Sequence, residues 1–241
     1  MPGSARNECN ARMRTEDLFD LLRERMLGDI EARAERLGAQ LGVSGLSDRV
    51  MAAVARVPRH EFVAEEIRPF AYIDQALPIG FGQAISEPFM VALMTHLLEL
   101  RPEHRVLEVG TGCGYHTAIL TELAREVYTV ELVPELAAQS ASRLARLAYG
   151  NIGVRMGNGR LGWPEHAPYD RIVVGAGSEL IPPALLEQLK PGGRLVLPAG
   201  LPGRQRLLQV ARDHPAGLTT RDLMLVSFDQ LEEDAGPAGT G

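Results

Sequence analysis

A glycine-rich turn is the strongest chemical signal in the sequence. Gly110, Gly112 and Gly114 follow an apolar run at alternate positions, with Thr111 between the first two and Tyr115 after the last. Glycines let the backbone approach a ligand closely, and N–H groups at the start of a following helix favour its negative group. A dinucleotide fingerprint needs a further glycine where Tyr115 stands. The turn therefore predicts a nucleoside ligand that has no pyrophosphate.

Two acidic residues accompany this turn. Glu108 lies just before it, where an acid suits an ammonium or sulfonium group. Glu131 stands about 20 residues after Gly110, where an acid accepts hydrogen bonds from ribose hydroxyls. S-adenosylmethionine combines these groups with a carboxylate, so we expect it as the cofactor. The structural alternatives are a glycine turn that only packs strand on helix, and a solvated glutamate at a strand end.

Three further residues are candidates for the same cleft. Asn158 and Gly159 follow a predicted strand at the carboxyl edge of the sheet, where ligands of open α/β folds bind. The Asn158 carbonyl can accept from an adenine amino group, although an ordinary asparagine turn explains it equally. Ser86 precedes an apolar helical stripe, which predicts a helix N-cap. At a cleft the same hydroxyl can also face a substrate carboxylate.

From Arg105 onward, short β-branched runs alternate with helical stretches, as is typical of a parallel sheet flanked by helices. We predict strands at 105–109, 127–131, 152–156, 170–174 and 194–197, and helices at 115–124, 134–148 and 182–189. Two longer runs, 206–212 and 219–228, predict an antiparallel pair joined by a turn at 213–217.

The N-terminal part has helical periodicity over 18–41 and again from Ser47 to the residue before Pro58. The segment 77–83, with one proline and two glycines, predicts a loop. We expect a flexible N-terminus (1–14), a single cofactor-binding domain (15–233) and a disordered tail (234–241). Within that domain, 15–100 forms a helical part with a substrate loop, and 101–233 forms the cofactor-binding sheet.

Composition excludes several classes of function. A net charge of −6 and a pI near 5.6 oppose binding to nucleic acid, which depends on clustered Lys and Arg. No apolar run approaches the roughly 20 residues of a membrane-spanning helix, and the polar start lacks a secretory signal. Cys9 and Cys113 lie far apart, and the histidines have no metal-ligand spacing. We therefore expect a cytoplasmic monomer without metal, nucleic-acid or membrane partners.

Five segments carry a likeness to a known family: Val57–Val63, Leu77–Ser86, Glu108–Tyr115, Gly162–Glu165 and Leu189–Leu195. Together they resemble the protein-L-isoaspartate O-methyltransferase family, and the likeness covers roughly 46–228. The resemblance implies a Rossmann-like class I methyltransferase with a mostly parallel seven-stranded sheet, the last strand antiparallel, plus N-terminal helices. It implies methylation of the carboxylate of L-isoaspartyl residues in damaged proteins or peptides, which permits repair through a cyclic imide.

The resemblance also implies a role for each candidate residue. Ser86 would face the transferring methyl group and the substrate carboxylate. Glu108 and the glycines would hold the methionine portion of the cofactor, Glu131 its ribose and Asn158 its adenine.

The chain departs from the family at four places. Asn158 replaces a usual Asp, Glu87 adds a negative charge where Gln or Ala is usual, Gly175–Ser178 replaces Thr-Ala-Ala-Pro, and there is extra length around 29–41. The smaller residues at 175–178 predict a wider cleft. These departures motivate an alternative acceptor, either an aspartyl residue of a dedicated peptide or a small-molecule acid. An alternative of another class is a sensor or scaffold that binds S-adenosylmethionine without turnover.

Overall fold

The N-terminal part of the chain is mainly helical. The computed structural model describes residues 15–213 and 217–232. Three helices precede the main sheet: α1 (Thr15–Leu41), α2 (Asp48–Arg56) and α3 (Pro88–Leu97). The predicted flexible N-terminus and disordered tail lie outside the described residues, as does the centre of the predicted turn at 213–217.

Helix α1 is one continuous helix, in agreement with the helical periodicity. Met26 and Ile30 are buried, as their spacing predicts. Nearer the N-terminus the buried residue is Phe19, whereas Leu18 and Leu21 are exposed. Periodicity therefore identifies the helix, and packing against neighbouring elements decides which side chains are covered.

The segment predicted as a loop forms a β-hairpin, so that prediction is wrong. Strands β1 (Leu77–Gly80) and β2 (Gln83–Ile85) pair antiparallel. The two connecting residues, Phe81 and Gly82, have φ values of +55° and +71°. Positive φ at both central residues is the geometry of a type I′ turn, whose twist matches that of the paired strands.

A seven-stranded sheet forms the centre of the protein, in the order β5-β4-β3-β6-β7-β8-β9. Its strands are β3 (Arg105–Val109), β4 (Glu126–Glu131), β5 (Ile152–Met156), β6 (Tyr169–Val174), β7 (Leu189–Ala199), β8 (Gln205–Asp213) and β9 (Gly217–Val226). Strands β3 to β7 pair in parallel, β8 pairs antiparallel with β7, and the last strand, β9, pairs antiparallel with β8. The predicted mostly parallel sheet with an antiparallel edge is thereby confirmed.

Two apolar clusters cover the sheet, one on each face. Helices α1 to α3, together with α4 (Tyr115–Thr121) and α5 (Pro134–Arg146), contribute to the cluster that contains Val106, and α6 (Pro183–Gln188) contributes to the cluster that contains Leu107. Successive strand residues point to opposite faces, which explains the division. Within the described parts of the chain, no helix is both long and apolar enough to cross a membrane.

Candidate active site

A cleft opens at the carboxyl ends of β3 and β4, the edge at which parallel sheets bind ligands. It encloses about 880 Å³, counting its open mouth. The hairpin β1–β2 and the segment after β9 form its other walls. Among the predicted site residues, those that line it are Ser86, Gly110, Thr111, Gly112, Tyr115, Glu131 and Gly159.

The glycine turn bends sharply between β3 and α4. Gly110 has a φ of +89° and its N–H donates to the Val130 carbonyl at 2.9 Å. Gly114 has a φ of +90°, and a Cβ there would lie 3.1 Å from Leu144 Cδ1. Side chains other than glycine rarely adopt such φ values. The turn therefore presents backbone rather than side chains to the cleft.

Glu131 lies at the end of β4 and is fixed by backbone donors from both sides. Its Oε2 accepts the Gly112 N–H at 2.8 Å, and its Oε1 accepts the Val133 N–H at 3.0 Å. The residue is 6% exposed and lines the cleft. Each carboxylate oxygen has a second lone pair, so this side chain fits ribose hydroxyl donors.

The predicted acid Glu108 lies beneath the cleft and is not one of its lining residues. Its Oε2 accepts hydrogen bonds from Thr117 Oγ1 at 2.5 Å and Thr129 Oγ1 at 2.7 Å. Its Oε1 makes no hydrogen bond to the described residues; the nearest basic group to it among them is His116, whose Nδ1 lies 3.9 Å away. Burial raises the pKa of Glu108 to about 7.

A hydroxyl link joins Glu108 to the turn. Thr129 donates to Glu108, and the Thr129 and Thr111 hydroxyl oxygens lie 2.6 Å apart. The acid can therefore influence the methionine portion of a cofactor through Thr111 and the local field. Direct contact with that portion stays a prediction.

Asn158 and Gly159 begin a single 3-10 turn, Gly159–Leu161. The Asn158 Oδ1 accepts the Arg160 N–H at 2.9 Å, as in the asparagine turn that was the alternative interpretation of this residue. Asn158 does not line the cleft. Gly159 does line it. A Cβ at this position would lie 2.3 Å from Val109 Cγ1, closer than real Cβ contacts. Only glycine fits so close to the Val109 side chain.

Ser86 is not the N-cap of α3, so the capping prediction is wrong. Pro88 occupies the first helical position, which suits its fixed φ and missing donor, and the N-cap is therefore Glu87. The Ser86 carbonyl accepts from Arg59 Nη2 at 2.7 Å, and its hydroxyl makes no hydrogen bond to the described residues. That hydroxyl is consequently available to a ligand in the cleft.

Arg59 supports both Ser86 and Tyr115 from below. It is fully buried, and its guanidinium lies 4.6 Å from the centroid of the Tyr115 ring. The Tyr115 hydroxyl has no hydrogen-bond partner among the described residues, and burial raises its pKa to about 12. Although it lines the cleft, Tyr115 is 1% exposed, which favours packing over direct ligand binding.

The segment that follows β9 also lines the cleft, through residues 230–232, and sequence reasoning missed it. Two backbone hydrogen bonds connect it to the loop after β6. The Gly177 N–H donates to the Asp229 carbonyl at 2.7 Å, and the Leu231 N–H donates to the Gly177 carbonyl at 2.6 Å. The buried Gln205 side chain binds the backbone N–H and carbonyl of Phe228. A Cβ at Gly177 would lie 1.9 Å from Gln205 Nε2. Gly177 therefore accommodates this segment, whereas Gly175 and Ala176 line the cleft.

A second groove continues from the cleft past Ser86. It encloses about 1140 Å³, counting its open mouth, and it shares Ser86, Gln83 and Gly175 with the cleft. Residues 224–229 and Arg33 of α1 form its outer wall. Ser86 thus lies where the cleft and this groove meet.

The sheet order, the glycine turn after β3 and the acid at the end of β4 define a class I, S-adenosylmethionine-dependent methyltransferase. A solved structure of a protein-L-isoaspartate O-methyltransferase superposes with a TM-score of 0.75 at 27% identity, covering 90% of this chain and 66% of that one. A second, from Plasmodium falciparum, is 24% identical with a TM-score of 0.69 and supports the fold alone; it covers 91% of this chain and 98% of that one.

The chain belongs to the protein-L-isoaspartate(D-aspartate) O-methyltransferase family, whose model matches residues 32–235. Protein-L-isoaspartate O-methyltransferase 1 of Polaromonas sp. is 53% identical, with 92% of this chain and 94% of that protein covered. Protein-L-isoaspartate O-methyltransferase 2 of Syntrophobacter fumaroxidans is 49% identical, with 90% and 88% covered. The resemblance stated from the sequence is confirmed.

Proposed function

We propose that this protein methylates the carboxylate of L-isoaspartyl residues in damaged proteins or peptides, with Ser86 at the point of transfer. Membership of the family supports the reaction and the cofactor. The observation that carries the assignment of the site is the position of Ser86 on both the cofactor cleft and the adjoining groove. One hydroxyl can thereby contact an acceptor while the cofactor is bound beside it.

The reaction needs little acid–base catalysis. When bound, S-adenosylmethionine supplies a methyl group activated by its positive sulfur. A carboxylate with an ordinary pKa of about 4 is already ionised at neutral pH and needs no general base. The protein must align the groups and exclude water, effects that together lower a barrier by roughly 7–11 kcal/mol. A cleft that presents backbone turns, the unbonded Ser86 hydroxyl and the fixed Glu131 carboxylate suits this task.

Each residue has a specific part in this proposal. Glu131 binds the ribose hydroxyls, and Gly110 and Gly112 admit the methionine portion close to the backbone. The Ser86 hydroxyl donates a hydrogen bond to the acceptor carboxylate and orients it. Gly159 lets the turn after β5 lie against β3, which closes the adenine side of the cleft.

The alternative acceptors lose part of their motivation. They rested on the small residues at 175–178 and on the charge of Glu87. Of the first set, Gly177 packs against the segment after β9, while Gly175 and Ala176 line the cleft. Arg33 pairs with Glu87 at 2.9 Å.

Two peptides of one sequence, containing either isoaspartate or aspartate at a single position, provide the test. With labelled S-adenosylmethionine, we expect transfer to the isoaspartyl peptide alone. Transfer only to the aspartyl peptide, or to a small acid instead of either, would overturn the repair function. Cofactor binding in calorimetry without S-adenosylhomocysteine formation from any acceptor would favour the sensor alternative.

We further propose that residues 15–233 act as one methyltransferase domain in a cytoplasmic monomer. The shared apolar cluster of α1 to α3 and the sheet supports the domain assignment. Limited proteolysis tests the single domain, and gel filtration with light scattering tests the monomer. Cell fractionation tests the cytoplasmic location.

A further inference from the structure

Arg33 of α1 forms two ion pairs at the groove beside Ser86. Its Nη1 lies 2.8 Å from Asp74 Oδ2, and its Nη2 lies 2.9 Å from Glu87 Oε1. The guanidinium also lies 4.2 Å from the centroid of the Phe89 ring. A planar, forked cation held on three sides has little freedom to leave this position.

The two carboxylates partnered by Arg33 lie at the start of α3, and that of Asp74 bonds to its first turn. Glu87 is the N-cap residue and directly follows Ser86. Asp74 uses its other oxygen, Oδ1, to accept the Phe89 N–H at 2.8 Å. Arg33 therefore contacts the carboxylate that holds the first turn of α3 and the side chain of the residue next to Ser86.

The charges in the groove explain why this cation matters. The charged residues among its described lining are Arg33, Glu87 and Asp229, and Asp74 lies directly behind Arg33. The side chains of Glu87 and Asp74 are 28% and 17% exposed, so solvent screens them only in part. Without Arg33, an anionic acceptor beside Ser86 would meet uncompensated negative charge.

We propose that Arg33 is a positioning residue for the acceptor: it offsets part of the negative charge of Glu87 and Asp74 and fixes the start of α3, so that an anionic carboxylate can lie beside Ser86. The inference rests on the proposed function, since it requires a carboxylate acceptor in this groove. It assigns to the N-terminal helix a direct influence on acceptor binding.

Four variants test it: Arg33→Gln, Glu87→Gln, the double variant, and Arg23→Gln as control. Arg23 lies on the same helix and bonds to Tyr72 and Asp20, away from the groove. For an isoaspartyl peptide we expect Arg33→Gln to raise KM about tenfold, with cofactor affinity unchanged. The double variant should return KM to within about threefold of the parent, and Arg23→Gln should match the parent.

Glu87→Gln alone should lower KM about two- to threefold, because it removes one negative charge from the groove and leaves Arg33 paired with Asp74 alone. If Arg33→Gln does not fold, the KM of Glu87→Gln still tests the proposed role of Arg33. An unchanged or higher KM for Glu87→Gln, or equal KM values for Arg33→Gln and the double variant, would overturn the inference.

The activity of the parent protein distinguishes a failure of the proposed function from a failure of the inference about Arg33. If it transfers no methyl group to isoaspartyl peptide, the proposed function fails. If it transfers methyl groups and Arg33→Gln leaves KM unchanged, the role of Arg33 alone fails.

Discussion

The Glu131 carboxylate accepts the Gly112 backbone N–H at 2.8 Å, which ties the end of β4 to the glycine turn after β3. The turn and the acid were separate signals in the sequence. In the folded chain they form one unit, because the acid fixes the turn while facing the cleft. Changes at either position should therefore affect cofactor binding more than a single lost contact would suggest.

Glu131→Gln is expected to weaken S-adenosylmethionine binding by about tenfold or more. An amide replaces one acceptor by an NH2 donor, which would face the N–H of Gly112 or Val133, and an unsatisfied buried donor costs about 1–3 kcal/mol. Isothermal titration calorimetry gives the dissociation constant. The matched control is Glu126→Gln on the same strand, whose carboxylate pairs with Arg105 away from the cleft. Equal affinities for the two variants would remove Glu131 from the cofactor site.

Gly159→Ala should strongly impair cofactor binding and lower the melting temperature. The added methyl group would lie 2.3 Å from Val109 Cγ1, so β3 or the turn must shift. Overpacking of this kind typically costs about 1–3 kcal/mol. Gly157→Ala is the control, since its nearest contact would be 3.7 Å. Thermal melts and calorimetry on both variants check the difference, and similar behaviour of the two would contradict the close approach.

Ser86→Ala should lower kcat about 10- to 100-fold and leave cofactor affinity unchanged. The estimate assumes a lost hydrogen bond to a charged acceptor, which contributes about 1.5–3 kcal/mol. Steady-state assays with isoaspartyl peptide, together with calorimetry, separate the two effects. Ser47→Ala is a suitable control, because Ser47 also precedes a helix and makes no side-chain cap bond. Unchanged turnover in Ser86→Ala would exclude Ser86 from the mechanism.

Glu108 should make the stability of the cofactor-free protein depend on pH. Burial raises its pKa from the usual 4.5 to about 7, so the folded state keeps a proton that the unfolded state loses first. The stability contributed by this group therefore falls as pH rises from about 4.5 to about 7, and stays constant above. Across that window the parent should lose roughly 3 kcal/mol relative to Glu108→Gln.

Urea unfolding of the parent and the variant at pH 4.5 and pH 8 measures this difference. Comparing the two proteins removes the opposite trend of the buried histidines, whose pKa values are lowered by burial. A difference between parent and variant that does not change with pH would contradict a protonated Glu108.

The sequence predicted the sheet well because β-branched runs, glycine punctuation and helical periodicity are local signals. Every predicted strand occurs, although β7 begins at Leu189, earlier than its apolar core indicates. The hairpin at 77–85 was missed because glycine and proline mark both loops and tight turns. The position of Ser86 was misjudged because Pro88 moves the helix start by one residue.

The sequence predicted only those site residues whose order and spacing along the chain form a recognisable pattern. The turn and Glu131 follow from the order of strand, glycines and acid. The burial of Glu108 depends on the face of β3 to which it points, which a strand buried on both faces does not reveal. The contribution of residues 230–232 depends on contacts with Gly177 and Gln205, distant in sequence, so no local pattern could indicate it.

A crystal structure with S-adenosylhomocysteine tests the central claim most directly. The account predicts the nucleoside in the cleft between the glycine turn and the β1–β2 hairpin, with its ribose hydroxyls on the Glu131 carboxylate and its sulfur facing Ser86. A ribose bound to a different carboxylate, or a sulfur facing away from Ser86, would contradict it.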